Sequence, residues 1–588
     1  MNLRSVTVLL FLLLPANVLH AQSAMTNISG RQVVSLNGSW KALIDPTGTG
    51  DWLRIWEERT PVSKTDFVEY SFTGTPELHV PGDFNTQRPE YTYLEGTVWY
   101  KQTFSYTRKK DKRLFLYFGA VNYLADVYLN GKHLGAHEGG FTPFQFELTD
   151  VQEGINSIIV RVNNTRQKNG LPALSYDWFN YGGITREVSL VETASTYIND
   201  YLVQLTKHSD HEIAGWVKLD GGNAGNQEVK VSIPELKISY RTKTNDSGMA
   251  LLRFNARPVR WSPDTPRLYN VIISSVSDTV TERIGFRNIA VSGTDILLNG
   301  RKLFIKGVNI HEERPFKAGK ANTEADARVL LSWAKELGCN MVRLSHYPHN
   351  EYMVKLAEEM GIMVWDELPV YQHIAFADTS MPGKMELMLR EMIKRDRNRC
   401  AVIIWSLSNE TYSFTPSRDK ALIELLGKCR MLDTTRLNTV VINNQGYSNN
   451  MFHVHDSLYK YADIISLNEY IGWYVPWQGK PEDVKWEINY KKPVIISEFG
   501  GEAKYGNAGD VADSWSEDYQ AKIYREQVVM FRRVPQLAGV CAWLLVDYRS
   551  MGRMRPGYQD GYNRKGLLSE YGERKRAWYV LRGYYDEK

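Results

Sequence analysis

Two short apolar runs in the second half of the chain each end in a glutamate. The run VIIWSLSNE ends at Glu410, and the run PVIISE ends at Glu498. Runs of this length, bounded by polar residues, are typical of buried strands. A carboxylate at the tip of a buried strand loses hydration and therefore needs a partner or a chemical role. Two such glutamates in matching contexts indicate a catalytic pair, whereas one alone would indicate an ordinary strand end.

The region around these runs alternates strand and helix patterns. Thr323 and Asn350 stand where helix N-caps are expected, and Gly338 and Gly361 stand where those helices should end. Eight strands over about 250 residues or slightly more predict a (β/α)8 barrel, whose strand ends converge on one pocket. Both glutamates would then flank one scissile bond, as glycoside hydrolysis requires. A doubly wound sheet is the alternative, but the sequence lacks the Gly-rich phosphate loop that it predicts. The predicted strands are 303–309, 340–344, 362–365, one from 402, 437–442, 463–467, one from 494, and 539–545.

The first half of the chain has β patterns throughout. Asn130 and Gly131 stand between two runs of strand character and form a strong hairpin signal. Short strands separated by Gly and Pro turns predict a β-sandwich, and the next stretch has the length of a small immunoglobulin-like sandwich. The chain of 588 residues is also too long for one core. We therefore predict a signal peptide at 1–21, a jelly-roll β-sandwich at 22–192, an immunoglobulin-like β-sandwich at 193–290 and a catalytic (β/α)8 barrel at 291–588.

The N-terminus has the pattern of a secretory signal. Arg4 precedes an unbroken apolar stretch at 6–14, Pro15 ends that stretch, and a plausible cleavage site lies before Gln22. The apolar stretch is too short to span a bilayer, and no later stretch of the sequence is long enough. We expect an exported protein, periplasmic or secreted, without a membrane anchor.

Composition excludes some partners and favours others. The net charge is +4, from 71 basic and 67 acidic residues, which gives no case for nucleic acid. The chain has 16 Trp and 34 Tyr, and aromatic faces stack on the apolar faces of sugar rings, which suits a carbohydrate ligand. The four cysteines fit no metal or redox spacing and are interpreted mostly as core residues.

Several motifs together resemble one known family. Two β domains precede a barrel, with Ser-Asn-Glu ending at Glu410 after the fourth strand and Ser-Glu-Phe-Gly around Glu498 after the seventh. With GVNIH at 307–311, RLSHYP at 343–348 and WSPDTP at 261–266, the whole mature chain resembles the family 2 glycoside hydrolases. Within that family, DWFNYGGITR at 177–186, LNEYIGWY at 467–474 and NRKG at 563–566 look like the β-glucuronidase branch.

The sequence also departs from that branch. The branch often has an arginine where Glu469 stands and a histidine where Thr185 stands. The segment RMRPGY at 553–558 is unlike the best-known members. These differences bear on the sugar and its leaving group, and not on the reaction.

The resemblance implies roles for the two glutamates. Glu410 is predicted to be the general acid/base, so its surroundings should raise its pKa. Glu498 is predicted to be the nucleophile, ionised and aimed at the anomeric carbon. A retaining mechanism implies that the two carboxyl groups lie about 5–5.5 Å apart.

Further residues are predicted to contact the substrate. Asn409 would donate to the sugar 2-hydroxyl, or else cap the strand end. His346, at a strand tip, would line the pocket, or else be a core histidine. Tyr470 would hydrogen-bond the nucleophile, or else be a packed aromatic. The resemblance adds Asp177, Tyr474 and Trp543 as further substrate-binding residues.

Asn563 and Lys565 discriminate between sugars. The resemblance assigns them to the carboxylate of a uronic acid, and an ammonium beside an amide donor suits that group. The alternative is that Lys565 is a surface lysine. The predicted function is a retaining, exo-acting β-glucuronidase that needs no cofactor or metal and whose partner is a glucuronide or uronate-terminated glycan. The alternatives are a β-galacturonidase, a neutral β-galactosidase or β-mannosidase, and a non-catalytic carbohydrate-binding protein; a homo-oligomer is left open.

Overall fold

The computed structural model describes residues 20–66, 68–412, 414–443 and 446–588. The signal peptide predicted at 1–21 lies, up to residue 19, outside the described residues. None of the helices in the described ranges is long and apolar enough to cross a membrane.

The first domain is a sandwich of two antiparallel sheets around a buried apolar core. The hairpin predicted at Asn130 and Gly131 is confirmed, because both residues have positive φ, 49° and 81°, and join two paired strands. The five-stranded sheet has the order Gln22–Ser23, Phe144–Glu147, Lys112–Phe118, Val188–Ala194 and Val33–Ser35, and the six-stranded sheet has the order Glu77–Val80, Gly38–Asp45, Thr97–Tyr106, Gly154–Asn163, Leu124–Leu129 and Lys132–Glu138.

The second domain is a smaller sandwich whose strands alternate buried and outward residues. Val229, Val231 and Ile233, every second residue of one strand, are fully buried in its core. Its three-stranded sheet has the order Tyr197–Leu205, Glu212–Asp220 and Met249–Asn255. Its four-stranded sheet has the order Ile238–Lys243, Glu228–Ile233, Tyr269–Ser275 and Thr279–Ile284. A further three-stranded sheet, Ile289–Ser292, Asp295–Leu298 and Arg301–Leu303, follows along the chain.

The third domain is a closed barrel of eight parallel strands, as predicted. Its strands are almost wholly buried, which explains why they read as continuous apolar runs. The strands are β1 (Ile305–Ile310), β2 (Met341–Leu344), β3 (Met363–Glu367), β4 (Val402–Asn409), β5 (Leu437–Ile442), β6 (Ile465–Asn468), β7 (Val494–Glu498) and β8 (Leu537–Ala542). Short strands Tyr447–Ser448, Met451–Val454, Lys485–Ile488, Tyr548–Arg549 and Tyr562–Asn563 lie in the loops after β5, β6 and β8.

The two predicted helix caps are confirmed. Thr323 forms a reciprocal capping box with Asp326, and Asn350 accepts a hydrogen bond from the backbone of Tyr352 at 3.0 Å. The longer helices are α1 (Glu324–Glu336), α2 (Glu351–Met360), α3 (Met381–Asp396), α4 (Pro416–Leu432), α5 (Glu517–Phe531) and α6 (Arg576–Asp586). Short helical turns occupy Ile28–Gly30, Gly50–Leu53, Ile55–Glu57, Pro89–Tyr91, Pro234–Leu236, Ser457–Lys460 and Pro481–Asp483.

A buried arginine forms hydrogen bonds that join the first domain to the mouth of the barrel. Arg186 donates to the carbonyl of Phe141 at 2.7 Å within its own domain. It also donates to the carbonyl of Pro348 at 2.6 Å and to Glu312 at 3.2 Å, both in the barrel. Since a buried cation without partners would be costly, these contacts hold the preceding loop, which carries Asp177, over the C-terminal strand ends.

Candidate active site

Glu410 and Glu498 both lie at the mouth of the barrel. Glu498 is the last residue of β7, and Glu410 follows β4 directly. Successive side chains of a regular strand point to opposite faces, yet Asn409 and Glu410 share hydrogen bonds to Asn468. The backbone permits this because β4 shifts register against β5 before Asn409, and Glu410 has a left-handed φ of 49°.

Glu498 is held by a cation and a phenol. Arg343 donates to one carboxylate oxygen at 2.8 Å, and the Tyr470 hydroxyl donates to the other at 2.7 Å. Burial raises the pKa of Glu498 to about 7, and the charge of Glu410 adds to that rise, while Arg343 and Tyr470 oppose it. Both partners donate to the ionised form, which is the form a nucleophile needs. The structure thus places Tyr470 where the resemblance implied.

Arg343 is a fully buried hub that the sequence argument did not single out. Beyond Glu498 it donates to Glu367 at 2.8 Å and to the side-chain oxygens of Asn309 and Asn409 at 2.9 and 2.8 Å. A guanidinium has five donors in a fixed plane, so one residue orients several acceptors at once. Its position in the motif RLSHYP at 343–348 was the available signal.

Glu410 is held only by neutral groups. Asn468 donates to one of its oxygens at 2.9 Å and Gln372 to the other at 3.1 Å. Burial raises its pKa, against the effect of these two amides. No cation in the described part of the chain lies within salt-bridge distance of Glu410. The carboxyl group without a cation is the one better suited to hold a proton, which agrees with the acid/base role predicted for it.

Asn409 has one end of its amide fixed. Its oxygen accepts from Arg343 at 2.8 Å and from Asn468 at 3.2 Å, and the residue is 1% exposed. Since the oxygen is fully used, the orientation of the amide is set. The N–H groups of the side chain have no acceptor among the described residues and are available to a ligand.

His346 and Trp543 form one wall. Their rings stack with centroids 4.9 Å apart and planes 19° apart. The Nδ1 atom of His346 lies 2.8 Å from Glu367, and burial lowers its pKa to about 4. A neutral imidazole that donates from Nδ1 presents a bare Nε2, which lies 3.9 Å from Glu498. The wall therefore adds shape and an acceptor without adding charge.

Lys565 is buried near Tyr470 and is not a surface lysine. It is 2% exposed, and its ammonium donates to the hydroxyl of Tyr474 at 2.7 Å and to Glu502 at 3.2 Å. Burial works against its charge, but Tyr474 and Glu502 outweigh burial and raise its pKa. The ammonium also lies 5.7 Å from the ring centroid of Tyr470, which ties it to the catalytic pair.

Asn563 and Asp177 form a hydrogen bond with each other. Asn563 is fully buried and donates at 3.1 Å both to Asp177 and to the hydroxyl of Tyr548. Asp177 accepts further from Ser550 at 2.6 Å and from Arg553 at 3.1 and 2.5 Å. In this arrangement both N–H groups of Asn563 have protein acceptors, so it orients Asp177 and Tyr548 instead of facing an open pocket.

Sequence reasoning missed two charged residues at this end of the pocket. Glu502, four residues after Glu498, pairs with Lys565, and Arg553 lies 3.5 Å from the same carboxylate. With Asp177 they form an alternating series of charges, Lys565, Glu502, Arg553 and Asp177, which we call the ion-pair chain. It contains two cations and two carboxylates. The unusual sequence at 553–558 was the signal for Arg553; nothing distinguished Glu502 beforehand.

Comparisons with known proteins agree with this architecture. Three family models match: "Glycosyl hydrolases family 2, sugar binding domain" at 33–194, "Glycosyl hydrolases family 2" at 196–287 and "Glycosyl hydrolases family 2, TIM barrel domain" at 289–561. The β-glucuronidase of Rattus norvegicus is 29% identical over 87% of this chain and 85% of its own length.

Solved structures give the same result. A β-glucuronidase from an uncultured Clostridium sp. superposes with a TM-score of 0.82 at 26% identity, covering 96% of this chain and 99% of that one. A β-glucuronidase from Ruminococcus gnavus, in complex with D-glucuronic acid, has a TM-score of 0.81 at 25% identity over 96% and 100%. With three matched domains in the family's order and two carboxyl groups at the barrel mouth, the chain belongs to glycosyl hydrolase family 2 and is a glycoside hydrolase.

Proposed function

We propose that the protein is a retaining, exo-acting β-glucuronidase. The observation that carries the proposal is Lys565, a buried ammonium 5.7 Å from the ring centroid of Tyr470, whose hydroxyl donates to Glu498. Burying a cation is costly unless an anion pairs with it; Glu502 supplies one such partner, and the ammonium keeps a further N–H donor for a ligand carboxylate. The relatives named β-glucuronidase and the complex with glucuronic acid support the same assignment.

The catalytic pair accounts for both steps of the reaction. The ionised Glu498 attacks the anomeric carbon and forms a new carbon–oxygen bond with it. At the same time the bond between the anomeric carbon and the glycosidic oxygen breaks, and the proton of Glu410 moves to that oxygen. In the second step a water attacks the anomeric carbon, its proton returns to Glu410, and Glu498 leaves. We assign the N–H groups of Asn409 to a substrate hydroxyl beside Glu410.

The charge at the other end of the pocket suits a uronate. The ion-pair chain has no net charge before a ligand binds, because it contains two cations and two carboxylates. A uronate carboxylate must therefore bind to hydrogen-bond donors of the chain that have no protein acceptor. An ammonium has three donors, and Lys565 uses one on Tyr474 and one on Glu502. The third remains for the ligand. A neutral sugar could offer that donor only a hydroxyl oxygen, a weaker acceptor for an ammonium than a carboxylate, which disfavours the neutral glycosidase alternatives.

A panel of chromogenic β-glycosides tests the proposal. We expect kcat/KM on the β-glucuronide to exceed that on the neutral galactoside, glucoside and mannoside by at least a hundredfold. The β-galacturonide belongs in the same panel, because it differs only in the orientation of one hydroxyl group. A higher kcat/KM on any neutral sugar would overturn the uronide assignment; a higher value on the galacturonide would move it to the galacturonidase alternative.

Export is a further part of the proposal. It rests on the sequence pattern at 1–21 alone. Mass spectrometry of protein from the native host should find a new N-terminus near Gln22 in the periplasmic or extracellular fraction. Intact Met1 on cytoplasmic material would count against it.

A further inference from the structure

A second cavity lies beside the catalytic pocket. It has a volume of about 650 Å³ and lies between the first sandwich and the segment 549–562 of the barrel. We call it the side cavity. Its volume falls within the range of about 300–1,000 Å³ that small-ligand sites occupy. The mechanism above makes no use of it.

The segment 549–562 is a wall with two faces. On one face, Arg553 belongs to the ion-pair chain of the catalytic pocket. On the other face, Arg549 and Met554 line the side cavity. Ser550 joins the two faces, because it lines the side cavity and donates to Asp177 at 2.6 Å. The two spaces are therefore neighbours, separated by one layer of side chains.

The lining of the side cavity is cationic. Its charged residues are Arg88, Lys317 and Arg549 against the single carboxylate of Asp560. Asp560 already lies 3.5 Å from Lys504 outside the cavity. Arg88 pairs with Glu90 at its rim, but exposed Lys317 has no partner among the described residues. The lining thus has an excess of positive charge that an anion would neutralise.

The same cavity offers aromatic faces. Tyr93 is 66% exposed, and its ring centroid lies 6.5 Å from that of Phe179. The guanidinium of Arg549 lies 4.0 Å from the Phe179 centroid. The exposed ring of Tyr93 and the cation Arg549 thus line the same cavity. A sugar ring, whose C–H groups form an apolar face, would match both features if it carried an anionic substituent.

We propose that the side cavity is a second carbohydrate site, which binds an anionic sugar residue, carboxylated or sulfated, independently of the catalytic pocket. Its sugar ring packs on Tyr93, and its anionic group pairs with Lys317 and Arg549. The proposal goes beyond the cleavage reaction and does not depend on which glycoside is hydrolysed. It would hold a second residue of an acidic glycan at the enzyme surface.

Calorimetric titration with trigalacturonate tests the proposal. This probe is anionic and α-linked, so it is no substrate for a β-glycosidase. The test variant is Tyr93→Ala/Lys317→Ala, and the matched control is Tyr579→Ala/Lys207→Ala, which removes one exposed tyrosine and one exposed lysine elsewhere. We expect wild type and control to bind the probe and the test variant to bind at least tenfold more weakly. Turnover of the best chromogenic β-glycoside should stay within twofold in all three proteins, which also reports folding.

Other outcomes would overturn the proposal. They are binding that the test variant retains, binding that the chromogenic substrate displaces competitively, equal binding of uncharged maltotriose, or no binding by wild type up to millimolar probe. A sulfated disaccharide in the same titration distinguishes a general anion site from a carboxylate-specific one. Because turnover and probe binding are measured separately, failure of the proposed uronide cleavage would show in the glycoside panel and not here.

Discussion

The two ends of the catalytic pocket are built in different ways. At the reacting end, Glu410 and Glu498 sit at the tips of barrel strands and are oriented by Arg343 and Asn468, which also lie on strands. At the other end, the ion-pair chain comes from loops, with Asp177 supplied by another domain. Strand ends fix geometry closely, and loops vary without disturbing the barrel. The strand ends of the barrel therefore determine the reaction, and the loops determine the sugar preference.

Removing the nucleophile tests the reacting end most severely. Glu498→Ala deletes the group that forms the covalent bond, so we expect kcat to fall by about 10⁴-fold or more. Steady-state hydrolysis of a chromogenic β-glucuronide measures this. Glu502→Ala, which removes a nearby buried carboxylate at the other end, is the comparison and should retain far more activity. Comparable residual activities of the two variants would mean that catalysis and sugar recognition are not separated between the two ends of the pocket.

Removing the acid should depend on the leaving group. Glu410→Gln keeps the size of the side chain but carries no transferable proton. We expect a loss of about 10²–10⁴-fold on glucuronides with poor leaving groups and a much smaller loss on those with good ones. A series of aryl glucuronides of graded phenol pKa measures the slope. An equal loss across the series would show that Glu410 is not the proton donor.

Lys565 tests the loop-built end. Hydrogen bonds to charged groups contribute about 1.5–3 kcal/mol, so Lys565→Ala should reduce kcat/KM on a β-glucuronide by about ten- to a hundredfold. On any neutral β-glycoside that is cleaved, the loss should be much smaller. Equal losses on both substrates would mean that Lys565 supports the fold and does not recognise the acid.

The pH profile tests the electrostatic difference between the two glutamates. Burial raises the pKa of both carboxyl groups, that of Glu498 to about 7, and two close carboxyl groups titrate as a pair. The active form keeps one proton on the pair, and we assign it to Glu410 because Arg343 and Tyr470 donate hydrogen bonds that stabilise the ionised Glu498. Once the pH exceeds the raised pKa of the pair the last proton is lost, so kcat/KM should fall about tenfold per pH unit on the alkaline side. The fall should vanish in Glu410→Gln; its persistence there would assign it to another group.

The sequence predicted the strand-built end better than the loop-built end. Apolar runs and strand-tip glutamates are local signals, so the barrel, the sandwiches and the helix caps at Thr323 and Asn350 could be inferred. Contacts across long sequence separations could not. Lys565 and Glu502 are 63 positions apart, and Asp177 and Arg553 are 376 apart. No periodicity encodes such pairs, which depend on how loops from different elements meet.

The smallest effect is expected at Arg553, and it shows whether the ion-pair chain acts as a unit. Arg553 is 25% exposed, so water screens its pairing with Asp177 more than it screens Lys565. If the uronate carboxylate interacts with the whole ion-pair chain, Arg553→Met should reduce kcat/KM on the glucuronide by about three- to tenfold. Arg553→Lys should recover part of that loss, because it restores the positive charge without the planar guanidinium. The double variant with Lys565→Ala should then lose less than the product of the single losses, since both cations serve one ligand group. Strict additivity would separate the two cations and leave recognition of the acid to Lys565 alone, while Arg553 would only hold Asp177 in place.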